Sequence, residues 1–241
     1  MTYTCWRGFV GTIKPTMRPG SYEELVRLLP DGIGVLPLFV SGRRPLIDDV
    51  DAALQIYESK IAELTKAGPD LIHAEGAATF MQLGPEPEAR LVDAWERKFK
   101  IPIFTAAQNQ VRALKALKIK KVVGVTYASD NFNAVYSQYL EESGLAVLAM
   151  DGVPAEWEDV DKVTPEQVYV QAKKSFLRNP GADGIYLQGS DWRILKAVEL
   201  LEQDLQVPVV HSVAARSWEI QKRLHARQPL PDRGRLLREM P

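Results

Sequence analysis

The sequence predicts an α/β protein built from two similar halves related by a pseudo-two-fold axis. Two observations predict it: apolar strand-like runs alternate with helix-like segments, and glycines recur at one offset. The pairs Gly11 and Gly124, Gly68 and Gly181, and Gly76 and Gly189 are each 113 positions apart. Alternation of strands and helices is typical of a parallel sheet covered by helices. A fixed offset indicates that the second half repeats the first.

Eight short, β-branched runs are the expected strands. They cover residues 8–13, 32–40, 71–74 and 101–105 in the first half, and 122–126, 146–150, 184–187 and 207–212 in the second. Helical patterns cover residues 48–67, 86–99, 107–117, 131–143, 165–178 and 192–204. Each half therefore contains a four-stranded parallel sheet flanked by helices, in a flavodoxin-like arrangement.

Whole phrases of the two halves also correspond. GPDLIHAEG (68–76) matches GADGIYLQG (181–189), and IPIFTA (101–106) matches VPVVHS (207–212). We assign residues 1–110 to the first half and 111–225 to the second, with 208–225 crossing back to complete the first. Residues 17–23 are expected to form a mobile lid or linker. The tail, 226–241, is expected to be partly disordered or to pack on a neighbouring subunit.

Composition excludes several classes of partner. The net charge is -1, so no global field favours nucleic acid or an anionic membrane. No run approaches the roughly 18 apolar residues of a membrane helix, and the amino terminus lacks a signal-peptide core, which indicates a cytoplasmic protein. The single cysteine, Cys5, excludes an internal disulfide and a cysteine-rich metal site; a solvated terminal residue is expected there rather than a nucleophile. A homo-oligomer is the usual expectation for a cytoplasmic protein of this size.

The turns at Gly76 and Gly189 are the expected ligand-binding positions. Ligands of parallel α/β sheets bind beyond the carboxyl ends of the strands, where loops lead into helices. The N–H groups after each glycine, in Ala77-Ala78 and Ser190-Asp191, are expected to open a helix and bind an anion. Two such anion-binding turns facing one cleft predict a small-molecule carboxylate as the partner and favour enolate chemistry.

These phrases, together with KVVGVTY (121–127), VPVV (207–210) and the Ala215 and Trp218 pair, resemble arylmalonate decarboxylase and maleate cis-trans isomerase, of the aspartate/glutamate racemase superfamily. The resemblance implies the same two-half fold and an active site in the cleft. It also implies a catalytic cysteine after the third strand of each half. The matching positions here are Gly76 and Gly189. Glycine at the first is what the decarboxylase has, whereas glycine at the second departs from the family.

The missing thiols limit the reaction. Two-base racemisation and covalent isomerisation both depend on cysteine in this family. The first interpretation is therefore a cofactor-independent lyase or decarboxylase that forms an enolate stabilised by backbone N–H donors. Alternatives are a hydrolase or hydratase in which Glu75 or His211 activates water, and a cysteine-independent isomerase or racemase, or a non-catalytic carboxylate-binding protein.

Several polar residues near the strand ends are candidate catalysts. His211 is either a general acid or base or a histidine bonded to backbone, and Glu75 is either a base or a structural carboxylate. Tyr127 stands one residue before the position where the resemblance places a tyrosine. Ser190 is a substrate donor or helix cap rather than a nucleophile. No metal is expected, because His73, Glu75 and His211 lack the close spacing of metal ligands.

Further residues are assigned to substrate binding, and no cofactor is expected. The loop after the first strand, the two glycine turns and the start of the helix after the fourth strand supply them. The substrate-binding candidates are Pro15, Thr16, Gly76, Ala77, Ala78, Gln108, Asn109, Thr126, Gly189 and Asp191.

Overall fold

The computed structural model describes residues 4–18, 20–42, 48–189 and 191–241 and contains two four-stranded parallel sheets. The first sheet has the order β2-β1-β3-β4 and the second β6-β5-β7-β8. The strands are β1 (Gly8–Lys14), β2 (Ile33–Phe39), β3 (Leu71–Ala74), β4 (Ile103–Thr105), β5 (Lys121–Thr126), β6 (Ala146–Gly152), β7 (Gly184–Leu187) and β8 (Val209–His211). The second sheet repeats the order of the first, as the glycine offset predicts, which confirms the two-half fold.

Helices connect the strands and cover the sheets. They are α1 (Gly20–Leu28), α2 (Val50–Thr65), α3 (Ala77–Met81), α4 (Pro85–Phe99), α5 (Ala106–Ala116), α6 (Asp130–Glu142), α7 (Pro165–Arg178), α8 (Leu195–Leu205), α9 (Ser212–Arg223) and α10 (Gly234–Glu239), with a 3-10 helix at Trp157–Lys162. The helix α7 has a capping box, in which the Thr164 hydroxyl accepts from the Gln167 N–H and the Gln167 side chain accepts from the Thr164 N–H. No helix in the described part of the chain is long and apolar enough to cross a bilayer.

The fourth strand of each half is shorter than predicted. The expected strands began at Ile101 and Val207, whereas β4 and β8 begin two residues later, after Pro102 and Pro208. Proline has no N–H to give to a strand ladder. Its carbonyl still pairs: Ile72 donates to Pro102 at 2.9 Å, and Ile185 donates to Pro208 at 3.0 Å. The same departure in both halves follows from the same local sequence.

Two predictions for irregular segments are corrected in part, while the mobility of 17–23 and packing of the tail on a neighbouring subunit stay predictions. The expected lid or linker at 17–23 is partly helical, because α1 begins at Gly20. The tail is ordered on its own chain: α10 packs against α8, α9 and β8 and buries Leu236 and Leu237. The indole of Trp218 donates to the Pro241 carbonyl at 2.9 Å. The prolines of the tail suggested disorder, but its apolar residues pack against the neighbouring helices and are buried.

One apolar cluster runs through both halves. It includes Phe80 and Trp95 of the first half and Tyr139 and Tyr186 of the second, all at most 2% exposed. The helix α9 follows β8 of the second sheet yet packs against α1 and α5 as well as β8. This packing brings the carboxyl ends of the two sheets to one cleft.

Candidate active site

A cleft of about 1190 Å³ lies between the carboxyl ends of the two sheets. It brings together most of the residues that the sequence assigned to the site. The predicted residues that line it are Pro15, Thr16, Glu75, Gly76, Ala77, Ala78, Asn109, Tyr127 and Asp191. Four others, Gln108, Thr126, Gly189 and His211, are not among its lining residues. Ser190 lies outside the described residues.

The first glycine turn has the predicted form. Gly76 has φ +115°, and α3 begins at the next residue, Ala77. The first N–H groups of a helix, here those of Ala77 and Ala78, have no acceptor within the helix itself. Both residues line the cleft. A Cβ at position 76 would overlap the Tyr57 hydroxyl, which instead donates to the Glu75 carbonyl and holds the turn.

Glu75 is held by an arginine that the sequence did not single out. Arg216, on α9, donates to the two Glu75 carboxylate oxygens at 2.7 and 3.3 Å. The side chains are only 2% and 3% exposed. A two-point guanidinium contact fixes the direction of a carboxylate. This geometry favours the structural interpretation of Glu75 over the catalytic base.

A second buried ion pair joins the halves. Lys14, the last residue of β1, contacts the Asp191 carboxylate at 2.6 Å, and both side chains are at most 3% exposed. Thr16 lies beside the pair, with its hydroxyl 3.5 Å from Asp191 Oδ2. Asp191 was predicted to bind substrate through its N–H. That N–H donates to the Tyr127 hydroxyl at 3.3 Å, so the residue instead anchors the second turn.

The second glycine turn differs from the first. The prediction that a helix opens directly after Gly189 is wrong. No helix follows Gly189 directly, since α8 begins only at Leu195. The Gly189 carbonyl accepts from the Ser212 hydroxyl at 2.6 Å and from the Trp192 indole at 3.1 Å. The buried Trp192 ring holds the chain in an irregular path before α8. Only the first half therefore presents helix N–H groups directly after its glycine.

His211 serves this second turn rather than the cleft. Its ring is fully buried, and Nε2 lies 3.1 Å from the Gly189 carbonyl. Burial lowers the pKa of His211 to about 3, although the bond to Gly189 opposes that shift. A neutral ring outside the cleft lining supports the alternative interpretation, a strand-end histidine bonded to backbone.

Tyr127 occupies the space next to the second glycine. A Cβ at position 189 would overlap the Tyr127 ring. Trp157 and Trp192 pack edge-on against that ring, with centroids 5.7 and 4.9 Å away. The ring therefore stands where the side chain of a residue other than glycine would begin at position 189. Its hydroxyl lies beside the Asp191 N–H, at the cleft wall.

The cleft floor carries two buried polar side chains without partners. The Asn109 amide is fully buried, and neither its oxygen nor its nitrogen has a hydrogen bond within the described structure. His73 is 1% exposed, and both ring nitrogens are likewise unpaired. Burial, with smaller effects from Arg216, Arg112 and Arg223, holds the pKa of His73 well below its usual range. Such groups are costly unless a ligand pairs with them.

The helix α5 shows why two predicted residues miss the cleft. It begins at Ala106, and Ala106, Asn109 and Gln110 share the face that lines the cleft. Gln108 turns away, and its N–H donates to the Thr105 hydroxyl at 3.2 Å. The Thr126 hydroxyl is also engaged within the protein, by one side chain and one backbone N–H. Its hydroxyl donates to Asn133 at 2.6 Å and accepts from the Ala128 N–H at 2.9 Å.

Gln110, Arg216 and the pairing of Lys14 with Asp191 were missed by the sequence reasoning, which placed Lys14 only in the loop beside the carboxylate pocket. Gln110 accepts from the buried Tyr186 hydroxyl, and nothing local in the sequence marks it. Lys14 and Arg216 find partners 177 and 141 positions away. A lysine at a strand end and an arginine within a buried helix face were the available signals. Cys5 is half-buried against Gly34, at the amino-terminal end of β2.

The described residues form no group of ligands for a metal ion. Among residues 4–18, 20–42, 48–189 and 191–241, no three His, Cys, Asp or Glu side chains come together in a way that would hold one. The considered set of His73, Glu75 and His211 is therefore not assembled as ligands.

Comparison with known proteins finds similar sequences and similar structures. The arylmalonate decarboxylase family profile matches residues 15–237. The arylmalonate decarboxylase of Bordetella bronchiseptica is 28% identical over 218 residues, which cover 87% of this chain and 88% of that protein. A crystal structure of arylmalonate decarboxylase has a TM-score of 0.80 at 23% identity, over 96% and 99% of the two chains. A Nocardia farcinica maleate cis-trans isomerase variant with a covalently bound succinylcysteine intermediate has a TM-score of 0.84 at 21% identity, over 96% and 98%.

Proposed function

Because this chain belongs to the arylmalonate decarboxylase family, we propose that it is a cofactor-independent lyase that removes carbon dioxide from a small activated carboxylate through an enolate. The observation that carries the proposal is the cleft floor, where the unpaired Asn109 amide lies with the Gly76 turn. Negative charge grows on the retained carboxylate as carbon dioxide leaves. Fixed donors at that place stabilise it by a few kcal/mol each.

In this reaction the bond between the α-carbon and the departing carboxylate breaks. Its electron pair moves into an enolate of the retained carboxylate, and carbon dioxide is released. The enolate oxygens accept hydrogen bonds from the Ala77 and Ala78 N–H groups and the Asn109 amide. Neutral His73, whose ring nitrogens have no partner among the described residues, donates a further hydrogen bond without adding charge.

Tyr127 is the proposed proton donor. Its ring stands beside position 189, where the resemblance places the proton-donating cysteine of the decarboxylase. The phenol proton goes to the α-carbon to form the new C–H bond, and water then reprotonates the phenolate. Proton transfer of this kind requires an approach of about 3 Å and contributes roughly 10²- to 10⁴-fold in rate.

Two alternative reactions receive less support. The Nocardia isomerase intermediate is bound to a cysteine, whereas Cys5 lies at the amino-terminal end of β2, away from the cleft lining. A hydrolase or hydratase needs a base for water. Glu75 is engaged by Arg216, and His211 lies outside the cleft lining. The third alternative is a protein that binds carboxylates without turnover, and a turnover assay distinguishes it from an enzyme.

The test is turnover of aryl- and alkyl-substituted malonates in D₂O, followed by NMR. We expect loss of one carboxylate and deuterium at the product α-carbon. Tyr127→Phe should lower kcat by about 10²-fold or more with little change in KM, because the donor acts only in the chemical step. Tyr169→Phe is the matched control, since its hydroxyl contacts Asp204 on the outer helices.

Two results would contradict this assignment. Incorporation of labelled water oxygen into product would identify a hydrolase. Binding of the acids with no turnover across the panel would identify a non-catalytic binding protein. Full activity in Tyr127→Phe would leave the lyase but remove Tyr127 as its donor.

A further inference from the structure

A second concave surface lies where α5 and α9 pack together. It has a volume of about 730 Å³ and is lined by Arg112, Glu219, Lys222, Arg223, His225 and Arg227. We call these six residues the basic pocket. None of them lines the cleft described above. The basic pocket carries four cations and one carboxylate, in a chain whose net charge is -1. Such a local excess of positive charge attracts anions.

Two arginines of the basic pocket are held in place by one buried carboxylate. Glu219, with a side chain 4% exposed, accepts from Arg112 Nε at 3.1 Å and from Arg223 Nε at 2.7 Å. Contact through Nε leaves the outer nitrogens of both guanidinium groups for another acceptor. Arg112 Nη2 is buried and has no hydrogen-bond partner in the described residues. A buried guanidinium nitrogen of this kind lacks an acceptor that a ligand would supply.

Aromatic rings fix two of the cations further. The Arg223 guanidinium lies 5.1 Å from the centre of the Phe104 ring, and the Lys222 ammonium lies 4.7 Å from that of Trp218. These contacts restrict the side chains before any ligand arrives. Less conformational entropy is then lost on binding. The cations are therefore arranged in advance.

We propose that the basic pocket binds a small divalent oxyanion, either inorganic phosphate or the phosphoryl group of a phosphate ester. Arginine forks match the spacing of phosphate oxygens and form paired, charge-assisted hydrogen bonds with them. Two forks oriented by one carboxylate, with flanking lysine and arginine, provide donors on several sides of a compact anion. Each Glu219 carboxylate oxygen already accepts from one arginine Nε, so Glu219 orients the two guanidinium groups and their charges offset its own.

Histidine NMR at constant pH tests the proposal on the intact protein. The chain has three histidines, of which His225 is exposed and lines the basic pocket, while His73 and His211 are buried. Titration with inorganic phosphate should shift the His225 ring resonances along a saturating curve. Sodium chloride at matched ionic strength should not reproduce the curve. A parallel titration with glycerol phosphate distinguishes a preference for the ester from one for the free anion.

Substitutions in the basic pocket test whether phosphate binds there. Arg112→Gln should weaken phosphate binding by at least about tenfold, the loss expected for a charge-assisted hydrogen bond. Because that change disturbs the buried Glu219, the double variant Lys222→Gln/Arg227→Gln, at exposed positions, provides a second measure and should also bind more weakly. Arg90→Gln, an exposed residue of α4, is the control and should bind as the parent does. A linear phosphate response, an equal response to chloride, or unchanged binding in both variants would overturn the proposal.

Discussion

Asn109 shows most directly how one residue separates stability from function. Its amide is fully buried, lines the cleft and has no partner in the described structure. An unsatisfied buried polar group costs about 1–3 kcal/mol. An apolar residue of similar size at this position of α5 would avoid that cost. We therefore propose that a substrate pairs with this amide.

Replacing Asn109 should raise stability while it removes function. We expect Asn109→Leu to increase the free energy of unfolding by about 1 kcal/mol, because an unpaired amide is replaced by an apolar group of similar shape. Turnover and ligand affinity should both fall. Denaturant unfolding and the malonate assay measure the two effects.

Asn133→Leu is the matched control for this prediction. Asn133 is also buried and does not line the cleft, and its Nδ2 has no partner among the described residues, but its Oδ1 accepts from the Thr126 hydroxyl at 2.6 Å. It should lose stability, because the Thr126 donor is left without its partner. Loss of stability in both variants would mean that the Asn109 amide is satisfied within the protein.

At the scale of single elements, the two glycine turns have diverged. Both glycines have positive φ, 115° at Gly76 and 134° at Gly189, and both exclude a Cβ because a tyrosine stands beside them. After Gly76 a helix begins at once, whereas residues 191–194, before α8, are not helical. The Tyr127 ring is therefore part of the architecture of the second turn as well as its proposed chemistry.

A cysteine restored at the second turn should be poorly tolerated. Gly189→Cys combines an unfavourable φ with overlap on Tyr127, and each effect costs about 1–3 kcal/mol. Gly144→Cys is the matched control, since Gly144 also has positive φ, at 86°, but has open space around it. The first change should lower the free energy of unfolding by more than the second.

Adding Tyr127→Ala to Gly189→Cys should recover part of that difference, because the overlap is removed while the strained φ remains. Thermal or denaturant unfolding of the variants measures it. Equal losses in Gly189→Cys and Gly144→Cys would show that Tyr127 does not fill the position.

Local sequence predicted the elements well where a short pattern determines them. The strands β3 and β7 and the helix α7 occur at the predicted residues, because glycine, proline and capping residues bound them. The helix after Gly189 was misplaced because Trp192 reads as helical, whereas its burial against Tyr127 decides its conformation. Packing partners of this kind are distant in sequence and leave no local pattern.

At the scale of the whole molecule, buried polar contacts hold the halves together. Lys14 of β1 pairs with Asp191 after β7, and Arg216 of α9 pairs with Glu75 after β3. Removing one partner of a buried pair costs about 3–5 kcal/mol, because a charge is left alone. The repeat predicted the two halves and their cleft. It did not predict these two ion pairs, whose partners lie 177 and 141 positions apart in the sequence.

Glu88 makes a third contact between the halves and should make stability depend on pH. It is fully buried on α4 and accepts from the hydroxyls of Thr105 and, across to α6, Tyr139. Burial raises the pKa of Glu88 to about 7, and these two hydrogen bonds oppose that shift. For a carboxyl with a raised pKa, the stabilising contribution of the protonated form is complete below pH about 4.5 and is lost as pH rises to about 7.

Glu88→Gln should therefore reduce the decline in unfolding free energy between pH 5 and 7, because glutamine keeps an acceptor and does not ionise. Denaturant unfolding across that range measures the slope. Glu86→Gln, on the exposed side of α4, is the control and should retain the parent slope. A parent protein whose stability is flat or rises over this range, after subtraction of the control, would contradict the assignment.

The most direct test of the central claim is a crystal structure with phenylacetate, the acid left when an arylmalonate loses carbon dioxide. We expect its carboxylate oxygens within about 3 Å of the Ala77 and Ala78 N–H groups and the Asn109 amide, with the α-carbon facing the Tyr127 hydroxyl, as proton transfer requires. A carboxylate bound elsewhere in the cleft, with Asn109 still unpaired and the Gly76 turn unoccupied, would contradict the account.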